Sequence, residues 1–166
     1  MGPLWCVKSV DGKVFYMASE APIQGSTVVE SKPSAISLPC RQILSAMEEK
    51  GFSKDDVFAV HLAVEEAFVN AVKHGNKMDP HKTVTIDYTI DAEKVEIDIQ
   101  DQGGGFNPQS IPDPRVGENL YRPEGRGLLL MSAYMHIFEY NERGNGVHMV
   151  RYKDRPIVGH GDAVAG

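Results

Sequence analysis

The chain has 166 residues, 42% of them hydrophobic and 24% charged, which supplies one core of ordinary size and excludes two large domains. Its 17 Lys and Arg against 23 Asp and Glu leave a net charge of −6, which excludes a general nucleic-acid binder, because that function needs a basic face. No apolar run approaches the roughly 20 residues that span a bilayer, and the start Met-Gly-Pro-Leu-Trp lacks the plan of a signal peptide, so a cytoplasmic protein with no membrane partner is expected.

In chain order, residues 5–10 and 14–17 are β-prone stretches meeting at Asp11-Gly12, a turn dipeptide, and they predict a hairpin. Residues 21–25 read as a connector and residues 26–30 as a short strand. A helix follows, with Ser37 as its cap, Pro39 in its first turn and Gly51 as its left-handed stop. Ser53 caps the next helix, with Asp56 three residues on in a reduced capping box, and Gly75-Asn76 ends it after His74. Val84, Ile86, Tyr88 and Ile90 alternate along one strand, and Val95, Ile97 and Ile99 along the next. Asp101-Gln102-Gly103-Gly104-Gly105 breaks the period. Residues 106–124 form a loop rich in Pro, Gly and Asn, of a length usual for a functional lid.

Gly125-Arg126-Gly127 then opens an apolar helix over residues 128–135. Residues 137–140 and 147–152 pair around Arg143-Gly144-Asn145-Gly146, and the Gly-rich tail from Asp154 to Gly166 is expected to fray. Cys6 and Cys40 lie far apart and read as reduced thiols. His81, His136, His148 and His160 show no zinc spacing. Hairpins and helices in this order predict an α/β two-layer sandwich, a mostly antiparallel sheet with helices on one face.

Three places carry chemistry. Glu66, Asn70 and His74 recur every four residues and therefore share one side of a helix, while Val57, Val60, Val64, Phe68 and Ala71 mark the core side. Ala59, Leu62 and Ala63 begin the polar side, so that face starts apolar and suits the floor of a pocket. Asp101 ends an apolar strand before three glycines; a carboxylate accepts hydrogen bonds, and glycines let a ligand approach the backbone. Gly125 and Gly127 flank a helix start, where free N–H groups and the positive dipole end favour phosphate.

In this order the three segments resemble the N, G1 and G2 boxes of the GHKL (histidine-kinase-like) ATPase superfamily. Glu66-Ala-Phe-Val-Asn70-Ala-Val-Lys-His74-Gly75 is similar to the N box of its anti-sigma-factor serine kinases, Asp101-Gln-Gly-Gly-Gly-Phe to G1, and Gly125-Arg-Gly-Leu-Leu-Leu-Met to G2. The resemblance covers residues 26–152. It implies a Bergerat-type ATP-binding fold and transfer of the ATP γ-phosphate to a serine of a STAS-type anti-sigma-factor antagonist, which regulates a sigma factor by partner switching. Glu66 then corresponds to the general base, Asn70 to the Mg²⁺ ligand, and Asp101 to the adenine reader, with Gly103 and Gly105 beside it. Gly125, Arg126 and Gly127 correspond to the phosphate-side segment, and residues 106–124 to the ATP lid, where Arg115 and Arg122 are candidate phosphate partners. His74 either touches phosphate or is satisfied by nearby backbone.

The resemblance divides the chain into a hairpin extension at 1–25, a kinase domain at 26–153 and a flexible tail at 154–166. It also allows a homodimer formed through the sheet. One departure stands out: some relatives carry Gly-Thr in the last hairpin, where the hydroxyl helps hold adenine through water, and this chain has Gly146-Val147. The alternative from another class is a non-catalytic ATP-binding module that sequesters a regulatory protein, against which Glu66 counts.

Overall fold

Five antiparallel strands and three helices make up the core of the computed structural model, which describes residues 6–10, 13–17, 21–110 and 126–157. Cys6–Val10 (β1) and Lys13–Met17 (β2) pair antiparallel as a separate two-stranded sheet, as their composition predicts. The main sheet contains Ile23–Glu30 (β3), Thr83–Ile90 (β4), Lys94–Asp101 (β5), Ile137–Tyr140 (β6) and Gly146–Tyr152 (β7) in the order β3-β4-β5-β7-β6. Helices α1 (Ser37–Glu49), α2 (Lys54–Asn70) and α3 (Arg126–Tyr134) supply the second layer.

Alternation decides which face the helices cover. Val84, Ile86 and Ile90 of β4, Val95, Ile97 and Ile99 of β5, and Val147 and Met149 of β7 are buried in one core with Ile43, Met47, Val64 and Phe68. Asp87, Asp98 and Gln100 on the opposite side stay exposed. Full burial of a side chain such as Ile97 contributes about 1.5–3 kcal/mol, so a one-residue slip of β5 would forfeit that gain at every second position. The two-layer architecture with helices on one face is therefore a direct product of the period-2 pattern.

Three local expectations need correction. Residues 23–25 belong to β3, because Ile23, Gln24 and Gly25 pair with Ile90, Thr89 and Tyr88; the glycine that suggested a connector instead leaves room for the Tyr88 ring. Ser37 is the first helical residue of α1, not its cap: a 3₁₀ turn, Pro33–Ile36, leads directly into the helix, and the Ser37 hydroxyl donates back to Ser34 O at 3.1 Å. Asp154, where fraying was expected, donates its N–H to Asp56 Oδ2 at 3.2 Å. Gly51 (φ +74°) stops α1 as predicted, and Ser53 caps α2 by accepting from Asp56 N at 3.1 Å. Cys40 is buried and free, and burial pushes its thiol up to about 11. No helix among the described residues is long and apolar enough to cross a membrane.

Candidate functional site

The site begins where α2 stops being regular. After Asn70 the backbone widens into a π turn, Ala71–Gly75, in which Asn76 N reaches Ala71 O at 2.8 Å. Such bulges favour functional positions because they re-aim side chains without ending a helix. Lys77 (φ 55°) and Met78 (φ 59°) follow in the left-handed region, which non-glycine residues enter only when neighbours hold them there. The holding residue is Asn76, which is fully buried. Its Nδ2 donates to Thr83 O and its Oδ1 accepts from Gln102 N, both at 2.9 Å. Gln102 Oε1 in turn accepts from Thr83 N at 2.9 Å. The end of the helix, the start of β4 and the loop after β5 are thereby one hydrogen-bonded unit.

Against that unit lies a cavity of about 450 Å³, within the ordinary range for small-molecule sites. Asn70, His74, Gly75, Asp101, Gly104 and Gly105 give it a polar side; Ala67, Ile99, Met131, Tyr140 and Val147 give it an apolar wall. Phe106 and Tyr140 meet edge to face at 4.9 Å along its rim. Burial pushes the Tyr140 hydroxyl up to about 12, so this wall stays neutral.

Asp101 is almost wholly buried, with Oδ1 accepting from Gly103 N at 2.7 Å. Burial raises its carboxyl above the ordinary carboxylate value, although the Gly103 N–H and the Lys82 charge oppose the rise. Its backbone is clamped by Asn145, which accepts Asp101 N through its carbonyl at 2.9 Å and donates Nδ2 to Asp101 O at 3.0 Å. Gly75 packs so tightly on the Asp101 carboxylate that a Cβ there would overlap it. The fixed acceptor beside an apolar slot is suited to a flat heterocycle bearing an amine.

Most of the residues nominated by the sequence lie among the described residues. Asn70, His74, Asp101 and Gly105 line the cavity, and Gly103 lies buried under it, its N–H on Asp101. Glu66 does not line the cavity. Its carboxylate lies against Gly127 in the first turn of α3, where a Cβ would overlap Oε1. Arg126 is the first residue of α3, and Gly125 lies outside the described residues, as do Arg115, Arg122 and the lid from residue 111 onward. Ala59 and Ala63 are buried on a stretch flanked by Phe58, which meets Tyr134, and Glu66, which meets Gly127; this apolar start of the polar side seats α3 and is not pocket floor.

Asn76, Asn145, Lys77, Tyr140 and Met131 escaped the sequence reading. Asn76 and Asn145 looked like ordinary turn residues, and only their neighbours across the fold reveal them as clamps.

The residues present fit a magnesium nucleotide. Mg²⁺ on a polyphosphate needs only one or two protein oxygens, and the Asn70 amide in the cavity offers one; among the described residues no cluster of His, Cys, Asp and Glu forms an all-protein metal cage.

Residues 29–151 match the family model of the histidine kinase-like ATPase domain. Serine-protein kinase RsbW of Listeria monocytogenes serotype 4a is 31% identical over 129 residues, covering 74% of this chain and 82% of the relative. The protein of the same name from Bacillus licheniformis is 32% identical over 145 residues, covering 81% and 88%. An anti-sigma F factor of Clostridium perfringens is 29% identical over 131 residues, covering 68% and 92%. Among solved structures, the RsbU and RsbW domains of a Mycobacterium tuberculosis protein share the fold at a TM-score of 0.56 and 16% identity, over 84% of this chain and 33% of that longer one.

Proposed function

The chain belongs to the histidine kinase-like ATPase family, among relatives named as RsbW serine-protein kinases, and from that premise we propose that it is an anti-sigma-factor-type protein serine/threonine kinase dependent on Mg-ATP. Its substrate is a serine on a STAS-type antagonist, and its regulatory output is the release or capture of a sigma factor by partner switching in the cytoplasm. The kinase domain runs from β3, which begins at Ile23, to Asp154, with the hairpin of β1 and β2 as an extension before it and the remaining residues as a tail. The observation that carries this reading is the convergence of Asn70, His74 and Asp101 on one cavity of nucleotide size.

Asp101 accepts a hydrogen bond from the adenine amine, while Ile99, Met131 and Val147 exclude water from the faces of the base. Asn70 would hold the metal through its side-chain oxygen, and His74, which lines the same cavity, is available to the phosphates; the resemblance assigns Gly125, Arg126 and Gly127 to the phosphate side as well. Mg²⁺, when bound, neutralises phosphate charge and favours loss of the γ-phosphoryl group. Glu66 takes the proton from the serine hydroxyl as its oxygen bonds to the γ-phosphorus and the bond to the ADP oxygen breaks. Phosphoryl transfer is chiefly positioning and charge neutralisation, so one general base and a metal-holding amide suffice for the protein's share.

One observation favours the second reading, an ATP-binding module that sequesters its partner. Glu66 is packed on Gly127 and stands apart from the cavity lining. Radiolabelled ATP with STAS-domain proteins separates the two, since the kinase labels a partner serine and the module labels nothing. The nucleotide reading itself is tested by melting: Mg-ATP at 100 times its dissociation constant stabilises by about 2.7 kcal/mol. An unshifted melting temperature in folded protein would remove both readings.

A further inference from the structure

Six large hydrophobic side chains are exposed among the described residues, and two of them, Phe58 at 56% and Leu130 at 45%, belong to helices that pack on each other. Phe58 meets Tyr134 edge to face, 6.5 Å between centroids, and Glu66 meets Gly127 at the other end. These two contacts fix α2 and α3 as antiparallel neighbours. Phe58, Leu62 and Glu66 are spaced by four along α2, and Gly127, Leu130 and Tyr134 by three and four along α3, so each set shares one face. Leu62 and Tyr134 are half-buried, and Phe58 and Leu130 stand clear of them. The result is an apolar ridge about 12 Å long, the rise of eight helical residues, that ends at Glu66.

We propose that this ridge is the docking surface for the serine-bearing substrate protein, which seats an apolar patch beside its target serine on Phe58, Leu62, Leu130 and Tyr134. The inference rests on the kinase reading above, because it is Glu66 at the end of the ridge that a serine hydroxyl must reach. Continuity with that carboxylate is what selects this occupant. A partner anchored along the ridge delivers its next residues to Glu66 without further search, and remote binding energy is thereby spent on orientation.

The rim carries both signs of charge, with Lys54 four residues before Phe58 and Asp55 and Glu65 three residues from Phe58 and Leu62, so the apolar side chains and not the charge define the docking surface. Single exposed apolar side chains are common on any surface; two large exposed ones beside two half-buried ones, on facing stripes of two helices that lead to a candidate base, are not.

The test uses the full chain and a purified STAS-domain protein as phosphoryl acceptor. Phe58→Ser with Leu130→Ser should raise the KM for the acceptor about tenfold or more, as loss of central interface anchors does. The kcat at saturating acceptor and the melting shift given by Mg-ATP should stay within about twofold of wild type. Leu38→Ser, equally exposed at 54% but on α1, should leave all three unchanged. Leu130→Lys alone, which places a charge within the apolar ridge, should also raise KM, because docking would bury that charge without a partner.

An acceptor KM equal to wild type in the folded double variant overturns the docking surface and leaves the kinase reading standing. A shift in oligomeric mass with unchanged KM overturns it in favour of a second copy of this chain. Wild-type protein that binds Mg-ATP but neither binds nor phosphorylates the acceptor overturns the kinase reading, and the ridge assignment falls with it.

Discussion

The two ends of α2 hold their neighbours by opposite means. At the N-terminal end, Asp56 is buried and nearly saturated with donors. Arg151 Nε reaches its Oδ1 at 2.7 Å across 95 residues of chain, and its Oδ2 accepts from Ser53 Oγ at 2.9 Å and from Asp154 N at 3.2 Å. Arg151 also donates to Tyr134 O, which ties α3 to the same point. At the C-terminal end no buried ion pair is present among the described residues; backbone groups, glycines and the amides of Asn76 and Asn145 hold the structure, and a cavity remains. A charged lock leaves no donor or acceptor for a ligand, whereas a frame of backbone and amides leaves the Asp101 and Asn70 side chains in the lining of the cavity. One helix thus separates the part that must not move from the part that must receive.

The largest effect should come from breaking the lock. Arg151→Ala leaves a buried carboxylate without its counter-charge and should cost about 3–5 kcal/mol in urea unfolding, while the Mg-ATP affinity of the folded fraction changes little. The pH profile sharpens this. Burial alone would raise the Asp56 carboxyl, but the hydrogen bonds from Asp154, Arg151 and Ser53, with the Arg151 charge, bring it below its ordinary 3.8. A depressed value means that the stabilisation is present above 3.8 and is lost as pH falls through the folded value. The gap between wild type and Arg151→Ala should therefore persist at neutral pH and narrow below pH 3.8. A gap that is constant down to complete acid unfolding would show that the arginine acts by packing alone.

At the open end the matching change should alter chemistry and not stability. Glu66→Gln preserves shape and the contact with Gly127, but removes the proton acceptor, so kcat for phosphoryl transfer should fall by about 10²-fold or more. Unfolding free energy and ATP affinity should stay near wild type. Glu65 points about 100° away around the helix and pairs with His61 at 3.1 Å, so Glu65→Gln at saturating acceptor is the internal control. Normal kcat in Glu66→Gln would dismiss the base assignment, and loss confined to Glu65→Gln would place the register one residue off.

This contrast also explains what the sequence could disclose. Local signals survived: Val84, Ile86 and Ile90 do face the core, Ser53 does cap α2, Gly51 does stop α1, and Asn70, His74 and Asp101 do meet in one cavity. Each of these follows from a period or from a residue acting on its own turn. The Asp56–Arg151 lock was invisible because its partners are 95 residues apart and each resembles a surface charge. The π turn was invisible because Ala71-Val72-Lys73-His74 is good α-helical sequence; the widening is imposed by Asn76 and its contacts with Thr83 and Gln102. Glu66 shares the spacing of Asn70 and His74, yet α3 packs on it, and where another helix packs is not written in a four-residue repeat.

Asn76 tests how far the amide frame matters. Asn76→Ala strips Thr83 O and Gln102 N of buried partners and should destabilise by about 2 kcal/mol. The distinguishing readout is local. Amide exchange at Gln102 and Gly103 should accelerate more than exchange in β7, because the loop carrying Asp101 loses its anchor before the sheet does. Uniform acceleration across the domain would make Asn76 an ordinary stability residue and not a clamp on the site.

The smallest change concerns the wall opposite the clamp. Val147 pairs with Ile99 on one side and Tyr140 on the other, lines the cavity and is nearly buried. Val147→Thr replaces one methyl by a hydroxyl at almost constant volume. Without nucleotide that hydroxyl sits on an apolar wall beside Ile99 and Met131, and burying it short of partners should cost about 1 kcal/mol. With nucleotide bound, the hydroxyl lies on the face that the resemblance assigns to adenine, where relatives with threonine hold the base through water. ATP affinity should then rise about threefold while GTP affinity does not, since guanine presents a carbonyl where adenine presents its amine. Lower stability and higher ATP selectivity in the same variant would place the base between Val147 and Asp101. A stability loss without any gain in selectivity would put the base elsewhere in the cavity and leave Asp101 without its assigned role.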